Sequence, residues 1–300
     1  MGSKETSKSN VSAEQERALE QKCIAIVGVG LIGGSLALQL REKKIASRLI
    51  GVDSNKQHGQ KALELKLVDE LLSLDEAIAQ SEVIYLAIPG DQMLDLLSII
   101  LGMVEKQIVI DAGSAKVKLI DSVKGHPRRG RFVATHPMWG TEYSGPEAAV
   151  IGAFEDKAVI IANAADSDED ALEWTKAMYK KIGMHLLEMN AADHDLHSAY
   201  VSHISHITSF ALANTVLEKE KEKQAIFELA SAGFESTVRL AKSNPAMWVP
   251  IFMQNKENVL DVLKEHIAQM ERFKESIEKG DDKYLMRLIE DANKIRRIIK

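Results

Sequence analysis

Cysteine is almost absent: Cys23 is the single one in 300 residues. One thiol excludes a disulfide framework or a cysteine-based zinc site within one chain, and suits a reducing, cytoplasmic setting. Long apolar runs are missing too. Stretches such as Val83–Ile88 reach six residues, whereas a membrane-spanning helix needs roughly 20, so no membrane partner is expected. Nor is there an excess of basic charge. Lys and Arg number 38 against 44 Asp and Glu, a formal net charge of −6. That balance argues against nucleic acid as a partner and leaves small anionic ligands to local positive charge. Residues 1–21 lack the apolar segment of a signal peptide. They read as a flexible tail rich in Ser, Lys, Glu and Gln, with weak helical character over Val11–Glu20.

The rest of the chain has a globular composition, 45% apolar and 27% charged, and a length that suits two domains. From residue 22 to residue 190, short β-branched runs alternate with helical patterns. Strands are predicted at Cys23–Val27, Leu49–Asp53, Val83–Ile88, Gln107–Asp111, Phe132–Thr135, Ala158–Ala162 and His185–Glu188. Most are apolar at nearly every position, as strands buried on both faces are. Helices are predicted at Ile32–Lys43, Lys56–Leu65, Gln92–Gly102, Val117–Val123 and Ser167–Lys181. Such alternation implies a mainly parallel sheet with right-handed crossovers. After Asn190 strand signals stop. Ala191–Glu218, Lys221–Ala241, Met247–Lys279 and Lys283–Ile299 read as long helices. The expectation is an α/β fold, a Rossmann-type mainly parallel doubly wound sheet over 22–190, followed by an all-helical domain over 191–300. The helical domain is expected to cover the substrate and to join two copies as a homodimer.

Gly28-Val29-Gly30-Leu31-Ile32-Gly33 fits Gly-x-Gly-x-x-Gly, directly after the first strand and opening the first helix. In that setting Gly28 makes the tight turn, Gly30 admits a pyrophosphate and Gly33 lets helix and strand pack closely. The helix N-terminus at Leu31 and Ile32 offers unpaired N–H groups to phosphate. Asp53 ends the second strand, twenty residues after Gly33, with no arginine immediately following. A carboxylate there accepts both ribose hydroxyls and repels a 2′-phosphate, which predicts NAD over NADP. The third strand runs into Ile88-Pro89, and the fourth into Asp111-Ala112-Gly113-Ser114-Ala115-Lys116. Both lie at the carboxyl rim where the nicotinamide ring belongs. Ser114 is a candidate for a hydrogen bond near the reacting carbon, and equally for a helix N-cap. His136, at the end of the next strand and locked by Pro137, is placed for acid–base work near neutrality. His126-Pro127, in a Gly- and Arg-rich loop, has no strand before it and reads as surface.

These motifs resemble the prephenate and arogenate dehydrogenases of tyrosine biosynthesis. The resemblance rests on five ordered pieces. They are Gly28–Ser35, Asp111–Lys116, His136–Glu142, His194-Asp195 leading into Ser202–His206, and Thr237–Ala241 with Pro245–Trp248. Ser205 departs from it, since many relatives carry proline there. What the resemblance implies is an NAD-dependent oxidative decarboxylation of prephenate to 4-hydroxyphenylpyruvate. His136 is then the base at the C4 hydroxyl, and Ser114 bonds the same region and helps orient it. Arg239 binds a substrate carboxylate, His206 and Ser202 form a substrate-side helix face, and Thr141, Glu142 and His194 are further contacts. Trp248 is expected at a subunit boundary.

A metal reading of His194, His197, His203 and His206 fails on geometry, because at about 100° per residue they do not converge from one straight helix; no metal is expected, and His197 reads as surface. Arogenate remains an alternative substrate, with Glu142 a candidate partner for its amine. A different two-domain NAD(P) reductase, or a cofactor-binding protein without turnover, are further alternatives. A fused mutase domain and an appended regulatory domain are not expected.

Overall fold

The computed structural model describes residues 19–221 and 227–298; the predicted tail therefore lies almost wholly outside the described residues. Eight strands follow in chain order: β1 (Lys22–Val27), β2 (Ala46–Val52), β3 (Glu70–Leu71), β4 (Val83–Leu86), β5 (Ile108–Asp111), β6 (Phe132–Pro137), β7 (Ala158–Ala162) and β8 (His185–Met189). They form one sheet in the order β3-β2-β1-β4-β5-β6-β7-β8. Every pairing is parallel except β6 with β7. Six helices accompany it: α1 (Leu31–Glu42), α2 (Lys56–Glu64), α3 (Leu74–Gln80), α4 (Gly90–Met103), α5 (Val117–Asp121) and α6 (Glu169–Ile182).

The strands read as unbroken apolar runs because helices cover both faces. On β4, Val83 and Tyr85 join a core with Leu36 and Leu40 of α1 and Tyr179 and Ile182 of α6. Ile84 and Leu86 point the other way, into a core with Leu97 and Ile100 of α4 and Leu119 of α5. Strand order reverses between β1 and β4, so a crevice opens beyond their carboxyl ends, where ligands bind in such sheets.

After β8 the chain is helical: α7 (Ala191–Ser198), a π-helical stretch Ala199–His203, α8 (Ile204–Glu220), α9 (Ala232–Val238), α10 (Pro245–Gln254), α11 (Lys256–Lys279) and α12 (Asp282–Asn293). Three details differ from the expected pattern. β3 and α3 were not anticipated. The helix expected over Met247–Lys279 is two, broken at Asn255, whose buried side chain leaves the helical pattern to bond Asp195 and His203. The helix expected over Lys221–Ala241 is, in its described part, short α9 and 3-10 turns at Phe227–Leu229 and Arg239–Lys242.

Candidate active site

The turn after β1 is shaped by glycine for steric reasons. Gly28 has φ +93°, and a Cβ there would lie 2.5 Å from the Ala87 carbonyl oxygen, beside Ile88. At Gly33 a Cβ would lie 2.0 Å from the Gly28 carbonyl oxygen and 2.8 Å from Ile26. At Gly30 nothing lies within 4 Å. Two of the glycines thus permit packing, and the third borders open space at the start of α1. No side chain caps that helix at Gly30, so the N–H groups at Leu31 and Ile32 face the space unpaired, ready for an anion. Asp53 stands beside the turn: its carboxylate accepts the Val29 N–H at 3.1 Å and the Asn55 N–H at 2.8 Å. Ile88 packs onto the α4 core and Pro89 is the N-cap residue of α4. The cradle fits a dinucleotide: glycine where the backbone must be approached, a helix N-terminus for phosphate, a carboxylate at the second strand.

The β6 edge is held by side chains. β5 and β6 pair only at Val109–Phe132 and Ile110–Val133. Beyond that, the Asp111 carboxylate accepts the Thr135 N–H at 3.0 Å and the Gly113 N–H at 2.8 Å. Lys116, fully buried, donates to the other side of this joint, to Asp111 and to the Thr135 carbonyl. Tyr85, Tyr179 and Thr135 continue the buried network beneath the strand.

His136 emerges from this support at the sheet rim. Its Nδ1 lies 2.8 Å from Nε2 of His194. Nδ1 of His194 lies 2.7 Å from the Asp195 carboxylate. Burial, then the neighbouring His194, Lys116 and His203, hold the His136 pKa well below the ordinary imidazole value, so the ring is neutral at pH 7. Ser114 is half-buried on the loop between β5 and α5 and makes no side-chain hydrogen bond to the described residues. It therefore neither orients His136 nor caps α5. His194 takes the first role. Asp195 takes the second, accepting the Lys116 N–H at 2.7 Å and the Val117 N–H at 2.9 Å.

The helical half carries the other site residues expected from sequence. Nδ1 of His206 donates to the Ser202 carbonyl at 3.0 Å, which leaves Nε2 free. The ring stacks on Trp248, centroids 3.5 Å apart. Trp248 also meets His203 edge-on and is buried within its own chain. Arg239, at the end of α9, donates to the Glu142 carboxylate at 2.7 Å, joining residues 97 apart. The Glu142 backbone N–H and this guanidinium, against some burial, keep that carboxyl below the usual range. Thr141 accepts the Tyr143 N–H and closes its own turn. His197 is exposed, and His126 accepts the Arg128 N–H in a surface turn.

Residues 36–188 match the family model described as prephenate dehydrogenase, nucleotide-binding domain, and residues 190–291 match prephenate dehydrogenase, dimerization domain. The chain belongs to the prephenate dehydrogenase family. It is 31% identical to the prephenate dehydrogenase of Bacillus subtilis, over 91% of this chain and 75% of the relative. It is 28% identical to the cyclohexadienyl dehydrogenase of Zymomonas mobilis, over 93% and 96%. Among solved structures, the Aquifex aeolicus prephenate dehydrogenase in complex with hydroxyphenyl propionate and NAD+ superposes with a TM-score of 0.84 at 28% identity, covering 95% of this chain and all of that one. The Synechocystis arogenate dehydrogenase superposes with a TM-score of 0.72 at 26% identity, over 92% and 99%. The family's relatives thus span prephenate, cyclohexadienyl and arogenate dehydrogenases. The family model's match begins at residue 36, after the glycine turn, whereas the relatives, which cover 91–95% of the chain, take the turn in. Asp195, Asn255 and Lys116 were not singled out as site residues from sequence. The signal for Asp195 was its place beside His194, and for Lys116 its place in the Asp111–Lys116 motif.

Proposed function

We propose that this prephenate dehydrogenase family member is an NAD-dependent prephenate dehydrogenase. It would convert prephenate to 4-hydroxyphenylpyruvate and carbon dioxide, the oxidative step toward tyrosine. The observation that carries this is His136: a neutral imidazole at the sheet rim, bonded to His194 of the helical half, which also stacks His206 on Trp248 and ties Arg239 to Glu142. The glycine turn and Asp53 support NAD, as does the NAD+ bound to the Aquifex aeolicus relative. We read residues 22–190 as the dinucleotide-binding unit and 191–300 as the substrate and dimerisation unit of a cytoplasmic homodimer.

In this reading the cofactor, when bound, accepts hydride from C4. The remaining work falls to the chain. His136 takes the C4 hydroxyl proton, and the O–H electron pair forms the carbonyl. Ser114, free on its loop, donates to the same oxygen. As carbon dioxide leaves, the ring becomes a phenol and the proton returns to that oxygen. Arg239 holds a substrate carboxylate, for which its planar fork is suited. Trp248 and His206 exclude water above the ring, and His206 Nε2 meets the side-chain end with Ser202 and Thr141 nearby.

A specific observation favours a second reading, turnover of arogenate. Glu142 is ionised beside Arg239 and can meet an amine. Nicotinamide absorbance with NAD, offered prephenate and arogenate at matched concentrations, separates the two. Faster turnover of arogenate renames the enzyme while leaving base and arginine in place. Replacing the base, His136→Asn, is expected to lower kcat by about 10²–10⁴-fold with NAD affinity retained. Undiminished turnover would remove His136 from the reaction.

A further inference from the structure

We propose that Asp195 is a positioning residue that, through His194, fixes which nitrogen of His136 is bare and takes up the charge as that ring is protonated. This rests on His136 being the base. The geometry is a line of three groups: Asp195 carboxylate to His194 Nδ1 at 2.7 Å, and His194 Nε2 to His136 Nδ1 at 2.8 Å. An ionised carboxylate only accepts. Burial opposes ionisation of Asp195, but bonds from His194, Val117 and Lys116 outweigh it and hold its pKa below the ordinary value. His194 therefore carries its proton on Nδ1, and its Nε2 accepts. His136 must donate from Nδ1, so its Nε2 lone pair is left for the substrate. The other groups that face His136 are Lys116 and His203; neither bonds it.

The line also moves a proton. As His136 Nε2 accepts the hydroxyl proton, the Nδ1 proton can pass to His194 Nε2. One N–H bond breaks and one forms, and the positive charge ends on His194 against the carboxylate. The relay runs backward when the phenol forms, so nothing else is consumed. Asp195 sits on α7, the first helix of the helical half, and the same carboxylate caps α5 of the sheet half. Asn255 holds its backbone carbonyl at 2.6 Å. The residue that sets the base is thereby also a joint between the two halves.

The test uses the full-length protein. Nitrogen-15 spectra of the histidines should show His136 protonated at Nδ1 and bare at Nε2 near neutral pH; the opposite tautomer overturns the proposal without reference to turnover. Asp195→Asn should lower kcat about 100-fold or more, leave NAD affinity within about twofold, and move the titration of the histidine pair to lower pH, because the countercharge is gone. A kcat within about threefold of wild type, or a lost kcat with unchanged histidine titration, refutes it. Should Asp195→Asn fail to fold, His194→Leu leaves both caps of α5 in place. It should lower kcat at least about tenfold with Tm retained, whereas His194→Gln, whose carbonyl can accept from His136, should recover part of the loss. Equal rates for wild type and His194→Leu would end the argument. Turnover surviving in His136→Asn would instead sink the assignment of the base, while the spectra would still report on the relay.

Discussion

At the scale of single residues, the site separates groups that are already committed from groups left free. His136 and His194 are bonded to one another, Arg239 is bonded to Glu142, and Ser114 and the Nε2 of His206 have no partner among the described residues. The depressed pKa of His136 has a signed consequence. A base works in its neutral form. With the folded pKa well below 6.5, that form persists as pH falls through 6.5 and is lost only further down. The acid limb of kcat/KM is therefore expected below pH 6.5, in a profile taken from about pH 5 to pH 8; a midpoint at or above the ordinary imidazole value would contradict the neutral ring. Arg239 is testable by geometry more than by charge. Arg239→Lys keeps the cation but loses the fork, and loss of one charged hydrogen bond costs about 1.5–3 kcal/mol. KM for the substrate should rise about tenfold or more with a smaller change in kcat. An unchanged KM would mean that the guanidinium serves Glu142 alone.

Elements position these residues, and they differ in how openly the sequence announces them. β1, β4, β5 and β7 were visible as unbroken apolar runs because burial on both faces leaves no alternation to misread. The glycine turn was visible because each glycine has a steric reason. β3, two residues long, gives no pattern at all. α3 was missed although Ser73 and Glu76 form a reciprocal capping box around its first turn; the helix is too short to show a period. The break at Asn255 goes with long-range bonds to Asp195 and His203, which no local pattern carries. For the same reason His136 could be placed at a strand end from sequence, but its hydrogen-bond partner could not: His194 lies 58 residues away, and Ser114 was the nearer candidate. The glycine turn yields a contrast at this scale. Gly33→Ala drives a Cβ into the Gly28 carbonyl and Ile26, forcing α1 away from β1, with an expected stability loss of about 1–3 kcal/mol. Gly30→Ala meets no atom within 4 Å beyond its chain neighbours, so Tm should hold while NAD binding weakens. Thermal melts beside calorimetric titration distinguish them, and equal loss of Tm in both variants would count against the open cradle at Gly30.

For the whole molecule, the surface of the helical half is the feature the single chain leaves unexplained. On α11, Leu260, Ile267, Met270 and Ile277 are exposed, and on α12 Met286 and Ile289 are exposed as well. At about 100° per residue, the four on α11 fall within roughly a third of the helix circumference, so they form a stripe and not a scatter. Contiguous apolar surface of this kind marks an interface, and residues 190–291 match a model described as a dimerization domain. We expect the protein in solution at twice its 33.2 kDa chain mass. Met270→Lys with Ile277→Lys places two charges in the stripe and should yield the single-chain mass by light scattering. The site gives the experiment a second readout. His136 meets His194, His206 meets Trp248 and Arg239 meets Glu142 within one chain, and Trp248 is covered without a partner. The separated chain should therefore keep its NAD affinity and its His206–Trp248 stack, the latter readable as unchanged tryptophan fluorescence. A double variant that stays at twice the chain mass would move the interface off this stripe. One that separates but loses cofactor affinity would mean that a neighbouring copy holds the sheet and helical halves in their working arrangement.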